Sequence, residues 1–290
     1  MSKVYVLYNP LSGDKGGIED ARKAAESFRE QEICYKDITE NDAVSLVLER
    51  IAPEDKIVIC GGDGTLNRYI NATAELRINN PLYYYATGSG NDFLRDIGKI
   101  RDDGPVLINE YLKDLPVVEV NGKTYYVLNG IGFGIDGYCC EVGEELRAKG
   151  KKPNYAGIAI KGILFHFKSR NAKVTVDGKK YTYKRVWIAP TMHGRYYGGG
   201  MMAAPDQVRN SPEKGITLMM MHKAGKLRTL CVFPSIFSGK HVNHKKTVAV
   251  HNGKDITVEF DQPTTLQIDG EVILNVTKYR AMAKVPARTR

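Results

Sequence analysis

The sequence predicts two domains of different class: an α/β N-terminal domain with a Rossmann-like parallel sheet, followed by a mainly antiparallel β-sandwich domain. Three observations carry this. Short apolar runs alternate with helical patterns through about residue 115. The segments after the apolar runs are rich in glycine and polar residues, where open α/β sheets bind ligands. Beyond Pro116 the pattern changes to Val/Thr/Tyr-rich segments paired by two-residue turns.

In order along the chain, residues 4–8 form an apolar strand and residues 18–29 a helix. A second helix covers residues 43–51, residues 56–60 form a buried-looking strand, a helix starts near Leu66, and residues 83–86 form a further strand. In the second half Asn121-Gly122, Asp177-Gly178 and Asn252-Gly253 read as hairpin turns, because both central positions of a type I′ turn need positive φ. Helices around residues 141–149 and 155–169 interrupt the strands. The expected boundaries are 1–116 for the α/β domain, 117–277 for the sandwich, and 278–290 for a basic tail that either returns to the first domain or frays.

A chain of 290 residues with 42% hydrophobic side chains is long enough for two cores. Nowhere do about 18 consecutive apolar residues occur, the length needed for a spanning helix. The start of the chain shows no secretory signal. Five cysteines without C-x-x-C spacing suggest neither a disulfide framework nor a zinc site, and a reducing cytoplasm is expected. The formal charge of +9 points to anionic partners without saying which.

The strongest motif is Gly61-Gly62-Asp63-Gly64-Thr65, between a strand and a helix. Consecutive glycines let the backbone approach a phosphate chain, and amides at a helix start donate to its oxygens. Asp63 inside such a cradle repels phosphate unless a divalent cation intervenes, which implies Mg²⁺ with a nucleotide. The plainer reading is a tight turn with Asp63 as a helix cap. Two more loops accompany it: Asn9-Pro10-Leu11-Ser12-Gly13 after the first strand, and Gly88-Ser89-Gly90-Asn91-Asp92-Phe93 after the strand at 83–86.

These three motifs, in this order, resemble the catalytic domain of the bacterial soluble diacylglycerol kinases, relatives of sphingosine and ceramide kinases. The resemblance implies that Asn9, Ser12, Gly13, Gly61, Gly62, Gly64, Thr65, Gly88, Ser89, Gly90 and Asn91 surround ATP, with Asp63 and Asp92 organising Mg²⁺. It implies that Asp269, in Gln267-Ile268-Asp269-Gly270-Glu271, is the general base, with Glu271 an accessory carboxylate near metal and phosphates. Without the resemblance, Asp269-Gly270 is a hairpin turn. It also implies that the segment from Asn129 to Gly137 is a Gly-rich element at the inter-domain cleft, with Asp136 facing the lipid. The formal G-x-G-x-x-G from Gly132 to Gly137 lacks a following acidic residue at the dinucleotide spacing, and a structural turn is the equal alternative.

Two departures from the family stand out. Arg68 replaces the acidic residue that usually follows Asn67, and Glu213-Lys214-Gly215 replaces an Asp-Gly that in relatives helps hold a structural metal. Asp206 and Glu213 are the remaining acidic candidates for such a metal, and Lys214 offers positive charge in its place. Residues 155–168, apolar with basic flanks, read as a helix packed on the sandwich or one lying on an anionic bilayer.

The expected activity is ATP-dependent transfer of the γ-phosphoryl group to a membrane lipid, diacylglycerol first, in phospholipid biosynthesis at the inner face of the membrane. The expected partners are ATP, the lipid and an anionic membrane surface rather than nucleic acid, with a homodimer left open. An NAD kinase-like enzyme and a catalytically silent lipid- or nucleotide-binding relative are the alternatives.

Overall fold

The computed structural model describes residues 2–12, 16–76, 78–88, 90–209, 211, 213 and 215–283. The chain divides into two compact units, residues 1–113 and 114–290.

The first unit runs β1 (Lys3–Tyr8), α1 (Gly17–Ala25), β2 (Glu32–Asp37), α2 (Ala43–Leu48), β3 (Lys56–Gly61), α3 (Asp63–Thr73), β4 (Leu82–Ala86), α4 (Asp92–Asp96) and β5 (Val106–Leu107). The sheet order is β2-β1-β3-β4-β5, with β1 to β4 parallel and β5 antiparallel at the edge. In β1 and β3 apolar residues run without alternation because both faces are covered. Val4, Val6, Val58 and Cys60 pack on Ala21, Ala24, Ala25 and Phe28, while Leu7, Ile57 and Ile59 are also fully buried. The strand order reverses between β1 and β3, the position at which doubly wound sheets open a binding crevice at the carboxyl ends of their strands.

The second unit runs β6 (Val117–Val120), β7 (Lys123–Tyr126), β8 (Gly130–Phe133), α5 (Ile135–Ala148), α6 (Tyr155–Lys161), β9 (Arg170–Val176), β10 (Lys179–Val186), β11 (Thr191–Met192), β12 (Ile216–Met221), α7 (Lys226–Val232), β13 (Val248–Gly253), β14 (Asp255–Ile268) and β15 (Glu271–Met282). All its strand pairs are antiparallel. β14 joins the two parts of the sandwich. Its first half pairs with β9 and its last residues with β8, and the register with β15 shifts between Glu259 and Leu266. Such an irregularity lets one strand serve two layers. The Phe133 and Phe260 rings stack 4.0 Å apart in the core.

A second core lies beneath the helices. Along β12, Ile216, Leu218 and Met220 enter the sandwich core, while Met219 and Met221 pack with Ile135, Ile163, Trp187 and Val232.

Three hairpin turns have positive φ at both central positions: Asn121-Gly122, Asp177-Gly178 and Asp269-Gly270. Asn252-Gly253 departs from the hairpin expectation and ends β13, paired with Thr217 and Ile216. Asn252 accepts a hydrogen bond from the Thr217 hydroxyl at 2.9 Å, and a Cβ on Gly253 would meet Val176 at 2.5 Å. Close packing there, rather than a turn, requires the glycine. Residues 278–282 form the end of β15, where residues 280–282 pair with β6 in the same unit. Residues 284–290, the rest of the expected tail, lie outside the described residues. Among the described residues no helix is long and apolar enough to cross a membrane.

Candidate active site

Three loops at the carboxyl ends of β1, β3 and β4 meet within the first unit. Asn9 continues from β1, and its amide donates to the Cys60 carbonyl at 3.0 Å. The Asn9 side chain donates to Thr65 Oγ1 at 3.2 Å and accepts from the Leu11 amide at 2.9 Å. Its carbonyl accepts from the Ser12 hydroxyl at 2.8 Å. Ser12 in turn accepts from the Thr87 hydroxyl at 2.8 Å, and the Thr87 amide donates to the Gly61 carbonyl at 2.9 Å. A Cβ on Gly88 would lie 2.8 Å from the Gly62 Cα, so these two loops approach backbone to backbone.

Helix α3 begins directly after β3, with Gly62 in extended conformation as its cap. Its first turn therefore presents amides and the positive end of the helix dipole to the loop cluster. Asp63 accepts from the Asp92 amide at 2.8 Å and the Phe93 amide at 3.3 Å, capping the short helix α4. Sequence reasoning offered Asp63 as a cap or as a partner of magnesium. The structure differs from the cap reading: Gly62 caps α3, and Asp63, the first residue of α3, instead accepts from the first amides of α4, beside Asp92. Asn91, which precedes Asp92, is in the left-handed region, at φ 49°, and its side-chain oxygen is buried without a hydrogen-bond partner. A buried acceptor of this kind is satisfied by a hydroxyl or water donor.

These groups suit magnesium delivered on a nucleotide, because Mg²⁺ takes one or two carboxylates together with substrate phosphates. Among the described residues no group of three or more His, Cys, Asp or Glu side chains could hold a metal alone. Asp206 and Glu213 are both exposed and belong to no such group.

In the second unit Asp269 and Gly270 form the β14–β15 turn, with φ 49° and 96°. Both Asp269 oxygens are engaged by backbone: Oδ2 accepts from Leu128 at 2.6 Å, and Oδ1 from Asn129 at 2.7 Å and Gly130 at 2.9 Å. The opposite side of that peptide segment is also held, since Arg209 donates to the Leu128 carbonyl and, at 2.9 Å, to the Asn129 side chain. Glu271 follows as the first residue of β15, half-buried.

Matching family descriptions cover most of the chain: residues 3–118 match the diacylglycerol kinase catalytic domain, and residues 129–286 the YegS C-terminal NAD kinase β-sandwich-like domain. The chain belongs to the bacterial diacylglycerol kinase family. It is 25% identical over 283 residues to a diacylglycerol kinase of Bacillus subtilis, covering 93% of this chain and 90% of that protein. It is 24% identical to a Mycobacterium tuberculosis diacylglycerol kinase, covering 89% and 85%. Among solved structures, a diacylglycerol kinase of Bacillus anthracis superposes with a TM-score of 0.61 at 18% identity, covering 99% of this chain and 97% of that one.

Within the family framework, several expected residues are not described: Gly13, Ser89 and Lys214 lie outside the described residues. Arg68 lies on α3 and is exposed. Sequence reasoning passed over Thr87 and Arg209. A hydroxyl following β4 carried a signal for Thr87, whereas nothing local distinguishes Arg209 from a surface arginine. The segment from Gly132 to Gly137 is a strand-to-helix junction: β8 ends at Phe133, Gly134 has φ 114°, and α5 starts at Ile135. Asp136 is buried in the first turn of α5, with Tyr197 donating to Oδ2 at 3.1 Å and Oδ1 lacking a partner. Burial pushes its carboxyl up to about 6, against the hydrogen bonds from the Gly137 amide and Tyr197.

Proposed function

We propose that this kinase transfers the γ-phosphoryl group of magnesium-bound ATP to a lipid hydroxyl, with diacylglycerol converted to phosphatidate. The observation that carries the reading is the meeting of three Gly/polar loops at the strand-order reversal, with Asp63 and Asp92 beside them. In this reading the loops containing Asn9, Ser12, Gly61, Gly62, Gly64, Thr65, Gly88, Gly90 and Asn91 hold the triphosphate and ribose, together with Gly13 and Ser89. Asp63 and Asp92 would hold magnesium beside these loops, where it would neutralise charge on the phosphates.

Phosphoryl transfer depends on positioning and electrostatics more than on covalent chemistry. The acceptor hydroxyl must lose its proton as the new P–O bond forms. We assign that proton to Asp269, with Glu271 as its accessory, and we assign recognition of the lipid's polar portion to Asp136. The acceptor meets the enzyme at a membrane surface on the cytoplasmic side.

One observation favours a second reading. A carboxylate that accepts three backbone amides is already used to hold structure, as expected if the chain binds nucleotide or lipid without turning it over. The deciding experiment is transfer from γ-labelled ATP to diacylglycerol, monoacylglycerol, sphingosine and ceramide in mixed micelles, with NAD as a soluble comparator. Labelled phosphatidate is the expected product. Label in NAD would overturn the lipid reading, and magnesium-dependent ATP binding without transfer to any acceptor would favour the silent relative.

A further inference from the structure

The β14–β15 turn and the chain entering β8 meet along one register. Ile268 pairs with Ile131, which sets Asp269 against Gly130, and the Asp269 amide donates to the Gly130 carbonyl at 3.1 Å. Leu128 and Asn129 lie just ahead of β8 and are buried, so their polar groups need partners supplied from outside the sheet ladder. The Asn129 carbonyl accepts from the amides of His193 and Gly194 at 2.9 and 3.1 Å. The remaining two acceptors, the Leu128 carbonyl and the Asn129 side-chain oxygen, both take hydrogen bonds from the half-buried Arg209, through Nη1 and, at 2.9 Å, Nη2.

The Leu128 contact matters because of the peptide group on which it lands. The carbonyl of Leu128 and the N–H of Asn129 belong to one planar unit, and that N–H donates to Asp269 Oδ1 at 2.7 Å. Guanidinium, peptide and carboxylate therefore form a chain of two charge-assisted hydrogen bonds, in which each bond polarises the next. A positive charge drawing on the carbonyl makes the amide a better donor to the carboxylate. The second Arg209 bond fixes the side chain of the same residue, Asn129, so that the segment cannot turn about its own axis without breaking one bond of the pair.

We propose that Arg209 is a positioning residue for the phosphoryl-transfer reaction: through the Leu128–Asn129 peptide it holds the Asp269 carboxylate in the orientation in which it takes the proton of the acceptor hydroxyl. The planar fork of the guanidinium suits this task, because two N–H groups in fixed geometry meet two acceptors at once, which a lysine ammonium on its flexible stem does not reproduce. A brace that only closed a surface loop would have no reason to choose these acceptors, whereas both bonds go to residues whose amides hold Asp269. The inference rests on the proposed role of Asp269 as base, and its geometry is independent of the phosphate loops.

The test is a double-mutant cycle in the full chain, read as transfer from ATP to diacylglycerol in mixed micelles. Arg209→Gln should lower kcat roughly 10- to 100-fold, with KM for ATP and for the lipid little changed. Arg209→Lys should fall between that variant and the wild type. In an Asp269→Asn background, Arg209→Gln should lower kcat by no more than about twofold, because the group through which it acts is gone. Thermal melts establish that each variant is folded. Equal losses in the two backgrounds, or wild-type kcat in Arg209→Gln, would overturn the proposal. A second measurement needs no turnover: in Arg209→Gln the Asn129 and Gly130 amides should lose protection from hydrogen exchange while amides of β12 keep theirs. If the wild type phosphorylates no acceptor, the kinase reading fails by itself. Lost protection would then still support Arg209 as the group that orders the Asp269 segment, and unchanged protection would overturn it.

Discussion

Asp269 meets two demands with one carboxylate. It ties residues 128–130 to the β14–β15 turn, and in the proposed reaction it accepts a proton. Asp269→Asn separates these roles. As a base, its loss should lower kcat by roughly 10²–10⁴-fold with little change in ATP affinity. As an anchor, exchange of one oxygen for an amide should cost about 1–3 kcal/mol of stability, because a backbone N–H loses its acceptor. A destabilised variant with unchanged kcat would make the residue structural only. Asp136 gives a second test at this scale. Its carboxyl is held near 6, above its ordinary value of 3.8, so between those pH values the folded state keeps a proton that the unfolded chain has lost. Stability from this group is therefore present at low pH and is lost as pH rises through about 6, by roughly 3 kcal/mol in all. Asp136→Asn should then melt at a higher temperature than the wild type at neutral pH, and the gain should vanish near pH 4. Equal melting temperatures at neutral pH would contradict the burial argument.

At the scale of elements, glycine positions decide the loop geometry. Gly88→Ala would drive a Cβ to 2.8 Å from the Gly62 Cα. We expect a stability loss of about 1–3 kcal/mol from overpacking and weaker ATP binding, measured by denaturant unfolding and calorimetric titration; unaltered ATP affinity would dissociate this contact from the nucleotide site. In the sandwich, Met220 is fully buried on β12, and Met220→Ala should cost about 2–5 kcal/mol in the same unfolding measurement. These elements differ in how openly the sequence declared them. β1 and β3 were legible because strands buried on both faces are continuously apolar. β2 was not, since an edge strand reading Glu-Ile-Cys-Tyr-Lys-Asp is half-exposed and carries charges at its ends. Helix α7 is short and sits among strands, anchored by Thr229 and Val232, which gives too little periodicity to recognise. Asn252-Gly253 misled because a turn-forming pair and a close-packed strand end look alike in sequence.

For the whole molecule, the change from α/β to antiparallel β was readable from where apolar alternation and turn pairs begin. The three Gly/polar loop motifs were readable because glycine and acidic residues after strands have a specific chemical use. Contacts between residues distant in sequence were not readable. Thr87 reaches Ser12, Asp63 reaches Asp92, and Arg209 reaches residues 128 and 129, each only once the strands are in order. The central claim about the molecule is that these loops present ATP for transfer to a lipid. Its most direct test is single-turnover transfer from γ-labelled ATP to diacylglycerol in mixed micelles, with and without magnesium, using the wild type and Asp63→Asn side by side. The account predicts magnesium-dependent labelling of phosphatidate by the wild type and a slower, less magnesium-responsive reaction in the variant. Labelling that is identical in the two proteins, or absent from lipid altogether, would contradict it.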